Sequence, residues 1–168
     1  MGHIGDMQPG ARTRRGRWRR LTAGEAALSA EMFGDQLDPS VVRLFAQPLP
    51  WPARAFVAGP RLIVWPWRGA LADFSASHVP LAVQAVFVHE LTHVWQAQNG
   101  VNLLLAKLRA GDGAHAYDYD LAGGPAFEAM NIEQQAMVVQ HAFTARRGGD
   151  TPYSAHQYAG LPLRPPRA

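Results

Sequence analysis

The chain has 168 residues, 48% of them apolar and 17% charged, enough for one domain with a hydrophobic core and too few for two. It contains no cysteine, which excludes a disulfide framework and a thiolate metal site, so any metal must be held by histidine and carboxylate. The formal charge of +3 is uneven: residues 1–20 carry six arginines against Asp6, a balance of +5, and residues 21–168 carry ten basic against twelve acidic side chains, a balance of −2, which argues against a basic body that tracks nucleic acid.

The arm of residues 1–20, with RTRRGRWRR and its one interleaved Trp18, has the composition of a solvated, disordered leader. It could touch phosphates or an anionic partner surface. Nothing after the arginines supplies the apolar core of a secretory signal, and no run reaches the roughly 18 uncharged apolar residues of a membrane span. The expectation is a soluble protein made in the cytoplasm and exported only by a signal-peptide-independent secretion system.

Thr22 and Glu25 have capping-box spacing and start a short packing helix that Gly34 ends. Val41–Phe45, Ala55–Ala58 and Arg61–Trp65 are β-prone runs separated by Pro48, Pro50 and Gly59-Pro60, and imply a small twisted sheet. Trp51, Trp65 and Trp67 lie in two Pro-Trp clusters, and tryptophan at this density more often fills a core or a sheet-helix joint than forms an exposed platform. Arg61–Trp65 is the candidate edge strand for aligning an extended peptide by strand addition.

Val79–Asn99 reads as one long core helix, with Asp73, Ser75 and Ser77 as candidate caps, Pro80 in its first turn and Gly100 beyond its end. It is apolar nearly all round yet carries His89, Glu90 and His93. Residues four apart share a helix face, so both imidazoles can reach one metal ion with Glu90 beside them, the H-E-x-x-H arrangement of zinc hydrolases. An unpaired imidazole or carboxylate in such surroundings costs roughly 2–7 kcal/mol, and a metal relieves that cost.

Val101–Arg109 is a second short helix. Ala116–Leu121 alternates, with Tyr117 and Tyr119 on one face and Asp118 and Asp120 on the other if extended. Asn131 can cap a last long helix, Ile132–Arg147, with Glu133 in its first turn. Residues 148–168 lack periodicity and read as a Gly/Pro-rich irregular tail.

A catalytic zinc takes three protein ligands and leaves a fourth position for water. His89 and His93 give two; the later Gly-x-x-His of metzincins is absent, since Gln96 and Asn99 stand there. The candidates for the third are Glu133, Glu128, Asp118, Asp120, His115 and His141. Glu133 is favoured because a carboxylate at the start of a second long helix can face the motif helix rigidly. His141 lies about 12 Å further along the same helix and cannot share an ion with it.

HELTHVWQ followed by NIEQQAMVVQHAF resembles the gluzincin branch of zinc metallopeptidases, where a second helix supplies a glutamate ligand. More narrowly, residues 21–147 resemble the small metallopeptidase domains called Vgr-related and core domains of contractile injection systems. In those, a helix of the HELTHVWQ type is followed by a Y-x-Y strand and an E-Q-Q-A helix, here Tyr117, Tyr119 and Glu133–Ala136. The resemblance implies an α+β, zincin-like domain over residues 21–147, with a short twisted sheet packed on the motif helix and a second Glu-bearing helix. It implies Zn2+ held by His89, His93 and Glu133, with Glu90 as general base in the hydrolysis of a peptide or protein substrate. It also implies a secretion-apparatus partner of the type VI kind.

Many gluzincins place an aspartate four residues after the ligand glutamate; Met137 stands there, so support for the zinc histidines falls to another group, Asp73, Asp118, Asp120 or Gln135. A Tyr-Asp-Tyr segment after the motif also resembles the aspzincins, with Asp118 as ligand, although the Gly-Thr that precedes their aspartate is missing. Tyr117 or Tyr119 is the expected oxyanion donor, with Tyr153, Tyr158 and His156 as alternatives. The alternative function is a zinc-containing adaptor of the injection machinery with little catalysis. Glu90 argues against it, because a structural site needs ligands but no base.

Overall fold

The caps expected from local spacing start the helices. Thr22 Oγ1 accepts from the Glu25 N–H at 3.1 Å and Glu25 Oε2 accepts from the Thr22 N–H at 2.9 Å, closing the box that opens α1 (Ala23–Phe33), which Gly34 ends at φ 59°. Asn131 opens α4 (Ile132–Arg146) with a second box, paired with Gln134. These details come from a computed structural model that describes residues 11–111 and 113–161. The expectations for residues 1–10, Asp112 and 162–168 lie outside the described residues.

The motif helix, α2 (Leu81–Gln98), forms as expected but begins differently: Pro80 stands at its N-cap with no side-chain cap. Asp73 Oδ1 instead accepts from the Ser75 N–H and from the Ser75 and Thr22 hydroxyls, binding the loop before α2 to the start of α1. Gly24 lies so close to Ser75 in this contact that a Cβ has no room. Beyond α2, Asn102 caps α3 (Leu103–Ala110).

The sheet has four strands in the order β1 (Trp18–Arg20), β2 (Arg43–Gln47), β4 (Leu62–Pro66), β3 (Phe56–Val57). β2 and β4 are parallel, with Leu44 opposite Ile63; the outer pairs are antiparallel. Arg61–Trp65 is therefore corrected from an edge to an inner strand, because the short β3 pairs with its outer side and becomes the edge. Leu44, Ile63, Phe74, Phe87, Val88, Leu91, Trp95 and Phe143 form the centre of the core between sheet and helices. Trp65 is buried as expected and its ring lies 4.3 Å from that of Phe74. Trp51 is not a core residue: it is 80% exposed.

Two further expectations change. The arm is not a disordered leader over its described part. Thr13 N–H donates to Ala70 O at 2.8 Å, Ala72 N–H to Ala11 O at 2.7 Å, and β1 pairs with β2. The reason is Arg19, whose guanidinium reaches both oxygens of the fully buried Glu25 at 2.6 and 2.7 Å and also donates to Leu71 O and Thr13 Oγ1. Ion pairing here offsets the entropy of ordering a charged segment. The tail likewise contains a short helix, α5 (Ala155–Ala159), capped by Ser154, whose Tyr158 is buried against the core. Ala116–Leu121 forms no strand; a 3₁₀ turn at Ala114–Ala116 leads into irregular chain.

Glu25→Ala strands the Arg19 charge and deprives the Thr22 and Phe74 amides of an acceptor. We expect a loss of about 3–5 kcal/mol of unfolding free energy, read as a lower urea midpoint at unchanged slope. A loss under about 1 kcal/mol would show that the pair does not anchor the arm.

Candidate metal centre

α2 and α4 pack along their lengths, and their contact brings the motif to Glu133. His89 and His93 stand one turn apart on α2, and Glu133 projects from the first turn of α4, where the Asn131 side chain accepts from its N–H at 2.9 Å. His89 Nε2 and His93 Nε2 each lie 3.4 Å from Glu133 Oε2, and the three ligand atoms fall within 4.8 Å of one another. Bonds of about 2.0–2.2 Å in a tetrahedral zinc site set ligand atoms roughly 3.4 Å apart. Among the described residues this is the cluster with metal-binding spacing.

A fully buried glutamine orients the second histidine. Gln96 Nε2 donates to Ile132 O and Gln135 Oε1, both at 3.0 Å, which leaves Oε1 to face His93 Nδ1 at 2.9 Å. Nδ1 of His93 is then the donor, and Nε2 is the ring nitrogen turned to Glu133 Oε2. Nε2 and Glu133 Oε2 face one another at 3.4 Å, a contact that a proton or a metal ion between them satisfies. Burial works against the protonated ring, but Glu133 and Glu90 outweigh it and raise its pKa. Gln135, an expected support, acts one step removed through Gln96. Gln96 itself was missed, although its position three residues after His93 on the same helix is readable.

Two acids in one site are driven apart. Burial pushes the Glu90 carboxyl above the usual carboxylate range, against the pull of His93 and His89; its Oε2 is buried without a hydrogen-bond partner, as is His89 Nδ1. Burial also opposes ionisation of Glu133, yet the bonds from His89 and His93 hold its carboxyl well below that range, helped by Lys107. Lys107 on α3 ion-pairs with Glu133 Oε1, opposite the oxygen that faces the histidines, and donates to the Tyr117 hydroxyl at 3.4 Å. Lys107 is a further residue that sequence reasoning missed: its place depends on how α3 folds back onto α4.

The other candidates separate cleanly. Tyr117 lines the cleft over the cluster; Tyr119 does not, and its hydroxyl is engaged by His141 Nδ1 at 2.6 Å and Tyr158 Oη at 2.7 Å. Tyr153 donates to Asp120 at 3.0 Å. His115 and Asp118 are exposed and lie 3.8 Å from each other, so the Asp118 arrangement is not assembled. The cleft, about 1870 Å³, runs from the motif to the β3 edge and the exposed Trp51.

Taken from its residues, this is a small α+β domain with two histidines and a glutamate converging beside an unpartnered second glutamate. No protein-family model matches the chain. In an alignment of 154 positions that covers 85% of this chain, it is 34% identical to the type VI secretion system spike protein VgrG2b of Pseudomonas aeruginosa, and it spans 14% of that protein. Among solved structures it is similar to the effector domain of Pseudomonas aeruginosa VgrG2b, at 37% identity over 77% of this chain and 75% of that one, with a TM-score of 0.63. The chain belongs to the family of the VgrG2b effector domain.

Gln96→Leu removes the partner that orients His93 and is expected to weaken zinc binding about 10- to 100-fold in competition with a chromogenic chelator; unchanged affinity would assign Gln96 to packing alone. For His141, burial and then the His89 charge hold the pKa below its ordinary value of 6.5. Its neutral form is favoured in the fold, so the stability it contributes is present above about pH 6.5 and lost as pH falls through the lower folded value. The drop in melting temperature from about pH 7 to about pH 5 should therefore be smaller in His141→Gln than in the wild type; equal drops would contradict this.

Proposed function

We propose that this domain is a zinc-dependent metallopeptidase and an effector carried by a type VI-like secretion apparatus, with a zincin-like arrangement of its motif helix. The observation that carries the enzymatic reading is the convergence of His89 Nε2, His93 Nε2 and Glu133 Oε2 beside Glu90, whose buried oxygen has no partner. A structural site needs no such base. Zinc, when bound by His89, His93 and Glu133, supplies Lewis acidity toward a substrate carbonyl and lowers the pKa of water toward about 7.

The chain's own groups supply the rest. Glu90 takes a proton from the attacking water and delivers it to the leaving amine, a role suited to a carboxylate that burial raises and histidines restrain. Lys107 donates to the oxygen of Tyr117, which frees the phenol proton to point at the carbonyl oxygen as charge develops there. The free side of β3, at the cleft wall, offers backbone groups to an extended segment.

The secretion reading rests on membership in the VgrG2b effector-domain family, whose full-length member is named as a spike protein. Among the described residues no helix is long and apolar enough to cross a membrane. We propose that the domain reaches its substrate through that apparatus, which is also its protein partner.

Purified wild type is expected to hold about one zinc per chain. His89→Ala should lose the metal, whereas Glu90→Gln should keep it and lose cleavage of a broad peptide library by at least about a hundredfold. Absence of bound zinc, or equal cleavage by wild type and Glu90→Gln, would sink the reading.

A further inference from the structure

The cleft is lined by three arginines that no acid answers. Arg15, Arg54 and Arg68 all face it, all are exposed, and none forms an ion pair among the described residues. The contrast is with Arg19, bound to Glu25, and with Arg146 and Arg147, which lie against Glu31. Among the described residues, the acids that line the cleft are Glu90 and Glu133, and both are committed to the proposed metal centre.

Two of these cations are held in place. The Arg15 and Arg68 guanidinium carbons each lie 5.5 Å from the centroid of the Trp67 ring, within the range where an indole face attracts a guanidinium. Arg15 arrives from the arm: the Gly16 N–H donates to Ala46 O at 2.7 Å, so this part of the chain is tied to β2 beside the cleft. Arg68 lies two residues beyond the end of β4. Stacking on a ring fixes a guanidinium plane while leaving its N–H fork free. Like charges gathered at one indole with no carboxylate between them favour an entering anion.

We propose that Arg15, Trp67 and Arg68 form a substrate subsite that selects an acidic side chain of a peptide lying in the cleft. The exposed Leu49, Trp51 and Phe56 on the same wall take a large apolar side chain next to it. That apolar wall favours a peptide over a phosphodiester chain, which would leave it uncovered. The assignment deepens the peptidase reading, but binding tests it without turnover.

The probes are three fluorescein-labelled peptides around a central Phe that differ only in Glu, Gln or Lys on both sides, titrated by anisotropy into zinc-loaded Glu90→Gln protein. The Glu peptide is expected to bind about tenfold more tightly than the Gln peptide, with a difference that shrinks at high salt. Adding Arg15→Gln and Arg68→Gln should bring the ratio near one, Arg15→Lys with Arg68→Lys should keep part of it, and Arg109→Gln, an exposed cation outside the cleft, should keep all of it. The proposal is overturned by equal affinities for the three peptides, by no measurable binding of the Glu peptide up to about 1 mM, by a ratio that survives both glutamines, or by tighter binding of an oligothymidylate. Failure of the peptidase reading looks different: wild type would cleave nothing while the binding ratio stands.

Discussion

The site depends on one buried carboxamide. Gln96 is fully buried, and each of its polar atoms has a partner: the oxygen faces His93, and the nitrogen serves Ile132 O and Gln135. It thus couples the orientation of His93 on α2 to the docking of α4, the helix that bears Glu133. A buried amide tolerates no half-measure, since a lost partner leaves a desolvated group costing about 1–3 kcal/mol. Gln135 extends the chain of bonds to Phe127 O at 2.8 Å. Together they make the seam between α2 and α4 polar along a narrow line and apolar elsewhere, with Leu91, Val138, Val139 and Phe143 all buried, which specifies one register of the two helices.

Electrostatics divides the labour of two glutamates that share the site. Glu133 has the two histidines and Lys107 around it and stays ionised; Glu90 is buried, with an unsatisfied oxygen and a carboxyl that holds its proton more readily. Lys107 on one oxygen of Glu133 leaves the other to face the histidines. The same carboxylate is therefore held from both sides, a tighter restraint than its place in a helix's first turn would give.

What could be read in the chain was what is local. The Thr22 and Asn131 boxes, the helical spacing of His89, Glu90 and His93, and the choice of Glu133 all follow from contacts within a turn or from two helices that must face each other. What could not be read depended on partners far along the chain. Arg61–Trp65 looks like an edge until β3 folds back beside it. Tyr119 shares a sequence pattern with Tyr117, but without a strand the two hydroxyls diverge, one to the cleft and one to His141. The arm looks like a solvated leader because its composition does not reveal that one of its arginines has a buried glutamate waiting for it.

That arm covers something. β1 forms the outer pair of the sheet on the side away from β3 and occupies one edge of β2, whose Leu44 and Ala46 are wholly buried. Of its arginines, Arg12, Arg14, Arg15, Arg17 and Arg20 are exposed, the side chains a trypsin-like enzyme selects. A domain trimmed past Arg20 would keep the His89, His93 and Glu133 cluster and its motif helix, yet expose the backbone groups of an apolar strand along an open edge. Open apolar edges recruit further strands, so the trimmed domain, with Glu25 left unpaired and Arg15 gone from the cleft, would tend to join copies of itself.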